Sequence, residues 1–130
     1  MSHGELPTDV RAFLVERVHS LLTLDLLLLL RADPQRRWSA GDLARELRCG
    51  LDWVEAELPA LVGQGLLLEA EPGEFCYRTF NVAADSILRW LADSYPQWRF
   101  SIIQAIYGQG SDPIRSFADA FRLRKDRPNG

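Results

Sequence analysis

Along this chain the apolar positions change period several times, and each change marks an element. Val10, Phe13, Leu14 and Val18 fall at offsets 0, 3, 4 and 8, which predicts a short amphipathic helix over residues 9–19, entered through Pro7. Ser20 then stands as cap of a second helix through Ala32, whose leucines occupy nearly every face and so require protein on all sides. The pair Asp33-Pro34 ends it, because a residue before proline avoids the α region. Ser39-Ala40-Gly41-Asp42 spells a capping box for a third helix ending near Leu47, with Leu43, Ala44 and Leu47 inward. Arg48-Cys49-Gly50 supplies a tight turn.

The fourth predicted helix begins near Asp52, read as its cap with Glu55 three residues on. Its inward stripe is Val54, Leu58, Leu61 and Val62, which leaves Trp53, Ala56, Glu57, Ala60 and Gln64 outward. Pro59 is expected to bend or end the regular helix, and Gly63 and Gly65 to close it. Two short strands, residues 66–69 and 75–78, flank Pro72-Gly73 as a hairpin, with Leu66 and Leu68 paired against Phe75 and Tyr77. From about Ala83 the period shortens to 3.5: Leu88, Leu91, Tyr95, Trp98, Ile102 and Ala105 form a seam on one long helix to Tyr107, kinked near Pro96. A break at Gly108 and Gly110 precedes Asp112-Pro113, cap and first turn of a final helix whose apolar face is Ile114, Phe117, Ala118 and Phe121.

Helix, helix, tight turn, helix, hairpin is the element order of a winged helix-turn-helix. The residues that carry it, 38–78 (WSAGDLARELRCGLDWVEAELPALVGQGLLLEAEPGEFCYR), give this chain a resemblance to bacterial winged-helix transcription regulators, especially the small dimeric groups typified by the multiple-antibiotic-resistance repressor family. The expected fold is mainly α with a small β-hairpin wing. Its parts are an N-terminal helical arm over residues 1–19, a winged-helix domain over 20–79, a long kinked dimerisation helix over 80–109 and a C-terminal amphipathic helix with a basic tail over 110–130.

The resemblance implies that the fourth helix of the chain enters the major groove while the wing and preceding helix touch phosphates. Carried onto this sequence, the contact candidates are Trp53, Glu57 and Gln64 on that helix, Arg36, Arg37, Arg45 and Arg48 before it, and Arg78 after the wing. Glu57 matches a cytosine amine and Gln64 an adenine edge. Charge argues the other way. Residues 51–64 hold three acids and no Lys or Arg, and the wing tip adds Glu69, Glu71 and Glu74, whereas affinity for duplex DNA comes largely from cations that displace condensed counterions.

The whole chain of 130 residues has a net charge of −3, distributed as −5 over residues 1–110 and +2 over 111–130. No global basic field exists, so nucleic-acid or anionic-membrane attraction has to be local. The arginines admit two readings, a phosphate-binding cluster or solvated surface charges. Trp53 likewise is either an exposed anchor for a protein partner or partial core. The seam Leu88, Leu91, Tyr95, Trp98 and Ile102 is either internal packing or the interface of a two-fold dimer, and we expect the dimer. The final helix either clasps its own dimer or offers a basic amphipathic peptide to a partner groove.

Catalysis finds no foothold in the sequence, and we expect a non-enzyme without cofactor or metal. Cys49 and Cys76 lack metal-ligand spacing, His3 and His19 stand alone, and no glycine loop is built for phosphate. The N-terminus lacks a secretory signal, and the leucine run between Asp25 and Arg31 is far shorter than the roughly 20 residues that span a bilayer. A cytoplasmic location is expected. Two functions stay open: a homodimeric regulator on double-stranded DNA, or a winged-helix module that binds a protein through its acidic helix.

Overall fold

The computed structural model describes residues 5–79 and 81–108. It is mainly helical, with five helices and one two-stranded antiparallel hairpin among these residues: α1 (Thr8–Arg17), α2 (Leu21–Ala32), α3 (Ala40–Leu47), α4 (Leu51–Gly63), β1 (Leu67–Glu71), β2 (Glu74–Tyr77) and α5 (Val82–Tyr107). They divide into two compact units. One contains α2 through β2 and the first part of α5 to Asp93. The other contains α1 and the rest of α5 from Ser94. No described helix is long and apolar enough to cross a membrane. The final helix expected after Pro113 lies outside the described residues.

In the larger unit, the leucine-rich α2 earns its composition by packing on both α3 and β2, while α4 packs on α3 and β1. Leu24, Leu26, Leu27 and Leu30 of α2 are completely enclosed together with Leu43, Val54, Leu58 and Leu61. The capping box forms as spelled. Ser39 Oγ accepts from the Asp42 amide at 3.0 Å, and Asp42 Oδ2 accepts from the Ser39 amide at 3.4 Å. Helix α3 stops at Arg48, which takes the left-handed conformation (φ 57) that lets the chain turn directly into α4.

Three local expectations need correction. The cap of α4 is Gly50, not Asp52, and it makes no side-chain bond; Asp52 instead sits in the first turn, where its charge meets the positive end of the helix dipole. Pro59 does not end α4, which continues to Gly63. Both Pro59 and Glu55, whose carbonyl loses its donor, lie on the exposed side, so water can replace the missing bond.

The hairpin is the third correction. Leu67 pairs with Tyr77, Leu68 with Cys76 and Glu69 with Phe75, so Leu67 and not Leu68 shares a face with Tyr77 and Phe75. An irregularity between Glu69 and Glu71 shifts the register before the turn at Pro72-Gly73, where Gly73 has φ 81. Leu66, outside the strand, is buried by a different route: its amide donates to the Leu61 carbonyl at 3.1 Å and closes the end of α4. A third piece of extended chain joins this sheet at one point, because Trp38 and Phe75 exchange backbone bonds of 2.7 and 2.8 Å.

Asn81 caps α5, accepting from the amides of Ala83 at 2.9 Å and Ala84 at 3.2 Å. In the first turn Asp85 receives the Tyr77 hydroxyl at 2.6 Å and Arg31 Nε at 3.3 Å, so one carboxylate ties α2, β2 and α5 together. Burial, followed by the hydrogen bond to Asp85 and the carboxylate charge, raises the ionisation of Tyr77 well above its ordinary value, with Arg31 opposing. The folded chain therefore holds the phenol proton at pH values where the unfolded chain releases it. Stability from this group is complete below about pH 10 and declines above it. Urea unfolding followed from pH 8 to 11 should show that decline in the wild type and a shallower one in Tyr77→Phe.

Part of the α5 seam is covered within one chain. Leu88, Leu91 and Ile102 are each 0% exposed within one chain, and Tyr95 and Trp98 are half-buried. The helix does kink, with non-helical backbone at Trp98 (φ −111, ψ 15), two residues beyond Pro96. In the smaller unit Val10, Phe13 and Leu14 of α1 and Ile102, Ala105 and Ile106 of α5 are buried.

Candidate functional site

Helices α3 and α4, the turn between them and the hairpin form the surface that the element order singles out. Its charge is lopsided. Residues 40–74 carry eight acids and two arginines, a net of −6. The four arginines expected to offset this are mostly engaged at home. Arg37 Nη1 lies 3.7 Å from Glu74 and 3.9 Å from Glu71 at the wing tip. This pairing follows from the Trp38–Phe75 bridge, which brings the chain before α3 alongside the wing. Arg45 binds Asp42 at 2.6 Å across one turn of α3. Arg36 stacks its guanidinium 3.5 Å from the centre of the Trp38 ring.

Exposed ion pairs of this kind contribute little to stability, but each carboxylate cancels the field of the arginine beside it. Arg48 and Arg78 are exposed, at the α3–α4 turn and after β2. Of the five arginines expected to frame a phosphate backbone, three are thus engaged within the chain. Arg37 and Arg45 are held by acids, and Arg36 by an aromatic ring.

The three candidates on α4 fare differently from one another. Trp53 is half-buried, between its two readings. Glu57 is half-buried and accepts a hydrogen bond of 2.9 Å from the Oγ1 of Thr23, a residue only 1% exposed in the first turn of α2. Gln64 is half-buried with its carbonyl oxygen enclosed and unpaired. Glu57 and Gln64 are thus turned partly into the protein, and they were misplaced as outward groups. The reason is that 3.6 residues per turn carries positions 57 and 64 to the edge of the stripe Val54, Leu58 and Leu61. What α4 does expose is Leu51, at 44%, with Asp52, Glu55, Ala56, Pro59, Ala60 and Gly63.

The bond between Thr23 and Glu57 has an asymmetric energetic consequence. Glu57→Ala takes one acceptor away from a buried hydroxyl and is expected to cost about 1–2 kcal/mol, whereas Thr23→Val removes the donor and leaves Glu57 able to rotate toward water, costing less than about 1 kcal/mol. Thermal or urea unfolding of both variants measures the difference. Equal losses would contradict the assignment of Glu57 to a structural role.

Elsewhere, Cys49 and Cys76 are free, half-buried thiols, and no grouping of three or more His, Cys, Asp or Glu with metal-binding geometry occurs among the described residues. An open depression of about 510 Å³ in the smaller unit is lined by Glu5, Leu6, Thr8, Arg11, Ser101 and Gln104. Comparison with protein families, characterised proteins and solved structures finds no match.

Proposed function

We propose that the protein is a winged-helix module that binds another protein through the exposed side of α4 and the wing, and that it has little or no affinity for duplex DNA. The observation that carries this reading is the pairing of Arg37 with Glu71 and Glu74, together with Arg45 on Asp42. Two of the cations that would grip phosphate are paired with the chain's own acids. The exposed strip of α4 presents Leu51, Ala56, Pro59 and Ala60, with the acids Asp52 and Glu55 interleaved among them. Such a surface suits a partner that brings an apolar contact ringed by Lys or Arg, the charge complement governing encounter and orientation.

Operator recognition by a homodimer is the alternative, supported by element order alone, and function does not follow from fold. The two are separated by fluorescence anisotropy of a labelled mixed-sequence duplex at roughly 20 mM salt, where screening is weak. No saturable binding is expected. An Arg- and Lys-rich amphipathic helical peptide under the same conditions should shift the amide resonances of Leu51, Ala56 and Ala60. Duplex binding that falls steeply with added salt would reverse the assignment.

A further inference from the structure

Helix α3 ends on a residue whose backbone favours glycine. Arg48 has φ 57 and ψ 51, the left-handed region, where a Cβ crowds the following carbonyl oxygen and glycine sits without that cost. The turn does not need the side chain. Its hydrogen bonds are backbone ones, from the Arg48 amide to the Arg45 carbonyl at 3.3 Å and from the Cys49 amide to the Ala44 carbonyl at 3.0 Å. Nor is the guanidinium used inside the fold: it is exposed and forms no ion pair with any described residue, whereas Arg37 and Arg45 are both paired. A strained position that carries a side chain the fold leaves idle points outward, to a partner.

We infer that Arg48 determines specificity on the α4 surface by pairing with a carboxylate of the protein partner, so that this partner is of mixed charge and not uniformly basic. The inference rests on the assignment of that surface to protein binding.

The order of charges supports this occupant. Arg48 is the sole Lys or Arg between Arg45 and Arg78. It stands three residues before Leu51, which is 44% exposed, and the exposed acids Asp52 and Glu55 follow. The chain thus offers a cation, an apolar contact and two carboxylates in sequence. Its complement is a segment that brings Asp or Glu, then an apolar side chain, then Lys or Arg. A uniformly basic partner would set a like charge against Arg48, which lowers affinity and slows encounter. A phosphate backbone is served less well, because one cation followed by two acids gives it no second anchor.

The test uses the full chain and two synthetic amphipathic helical peptides. They share their leucines and a basic end, and they differ at the other end, where one carries Glu and the other Lys. At roughly 20 mM salt, the Glu peptide should bind the wild type about fivefold or more tighter than the Lys peptide, followed through the amide resonances of Leu51, Ala56 and Ala60. Arg48→Gly should abolish this preference and Arg48→Lys should retain it. In urea unfolding Arg48→Gly should also raise the folding equilibrium constant, about two- to fivefold, as the backbone strain is relieved. A fall instead would show that the side chain holds the turn, and equal affinities of the two peptides for the wild type would show that it meets no carboxylate. Either result overturns the inference while leaving α4 as a protein-binding surface. If neither peptide moves those resonances, the assignment of the surface fails and the inference falls with it. Duplex binding that is lost in Arg48→Gly would give the cation to phosphate and overturn both.

Discussion

Leu91→Ala is expected to lower folding stability by about 3 kcal/mol, within the range for deleting a buried leucine side chain beyond Cβ, and to do so equally at every protein concentration. Leu91 is 0% exposed inside a single chain, as is Leu88 one turn before it. Removing three carbons there leaves a cavity that the surrounding side chains only partly close. For a chain of this size the loss corresponds to a fall in melting temperature of about 11 °C. The concentration independence is the informative part. If this seam joined two copies, stability would rise with protein concentration and the variant would shift the association equilibrium as well. Calorimetry of wild type and Leu91→Ala across a fiftyfold concentration range, alongside light scattering, decides between the two. A melting temperature that climbs with concentration in the wild type and ceases to do so in the variant would restore the dimer seam.

The seam illustrates what periodicity conveys. A run of apolar residues at 3.5 spacing states that one face of a helix is covered, and the covered face is indeed where Leu88, Leu91 and Ile102 sit. Nothing in the spacing says whose atoms do the covering. The same limit applies to α2. Its all-round leucines predicted burial on every side, and packing on α3 and β2 supplies part of it, yet the identity of those neighbours comes only from the fold. Local chemistry was more transparent: Ser39 and Asp42 are three residues apart, and their reciprocal cap is fully encoded within that distance.

The hairpin phase was lost for a definite reason. Leu66, Leu67 and Leu68 are identical in type, so alternation cannot say which of them faces inward, and the irregularity after Glu69 breaks the count from the turn end. The site was harder still. Glu57 takes its role from Thr23, 34 positions earlier, and Arg37 reaches Glu71 and Glu74 only because Trp38 and Phe75 meet. Composition did foresee the dominant fact, the acidic helix and wing. The additional cancellation of Arg37 and Arg45 is a property of the tertiary arrangement, and it strengthens the objection to DNA that the charges had already raised.

If electrostatics alone keeps this surface off DNA, reversing the charge should create binding. A variant carrying Lys at Asp52, Glu55, Glu71 and Glu74 is expected to bind mixed-sequence duplex measurably at roughly 20 mM salt where the wild type does not. All four positions are exposed, and the pairs lost at Glu71 and Glu74 are solvent-screened, so the fold should tolerate the changes. The substitutions also release Arg37 from its two carboxylates. With two to four cations reaching phosphate, the logarithm of the binding constant should fall against the logarithm of salt with a slope of about −2 to −4. The outcome is informative in both directions. A folded variant that still ignores DNA would mean that α4 and the wing are not presented to a groove at all, and the winged-helix reading would fail with it. Wild-type binding equal to the variant's would instead show that these four acids never faced the phosphates, and the protein-partner assignment of the surface would lose its physical basis.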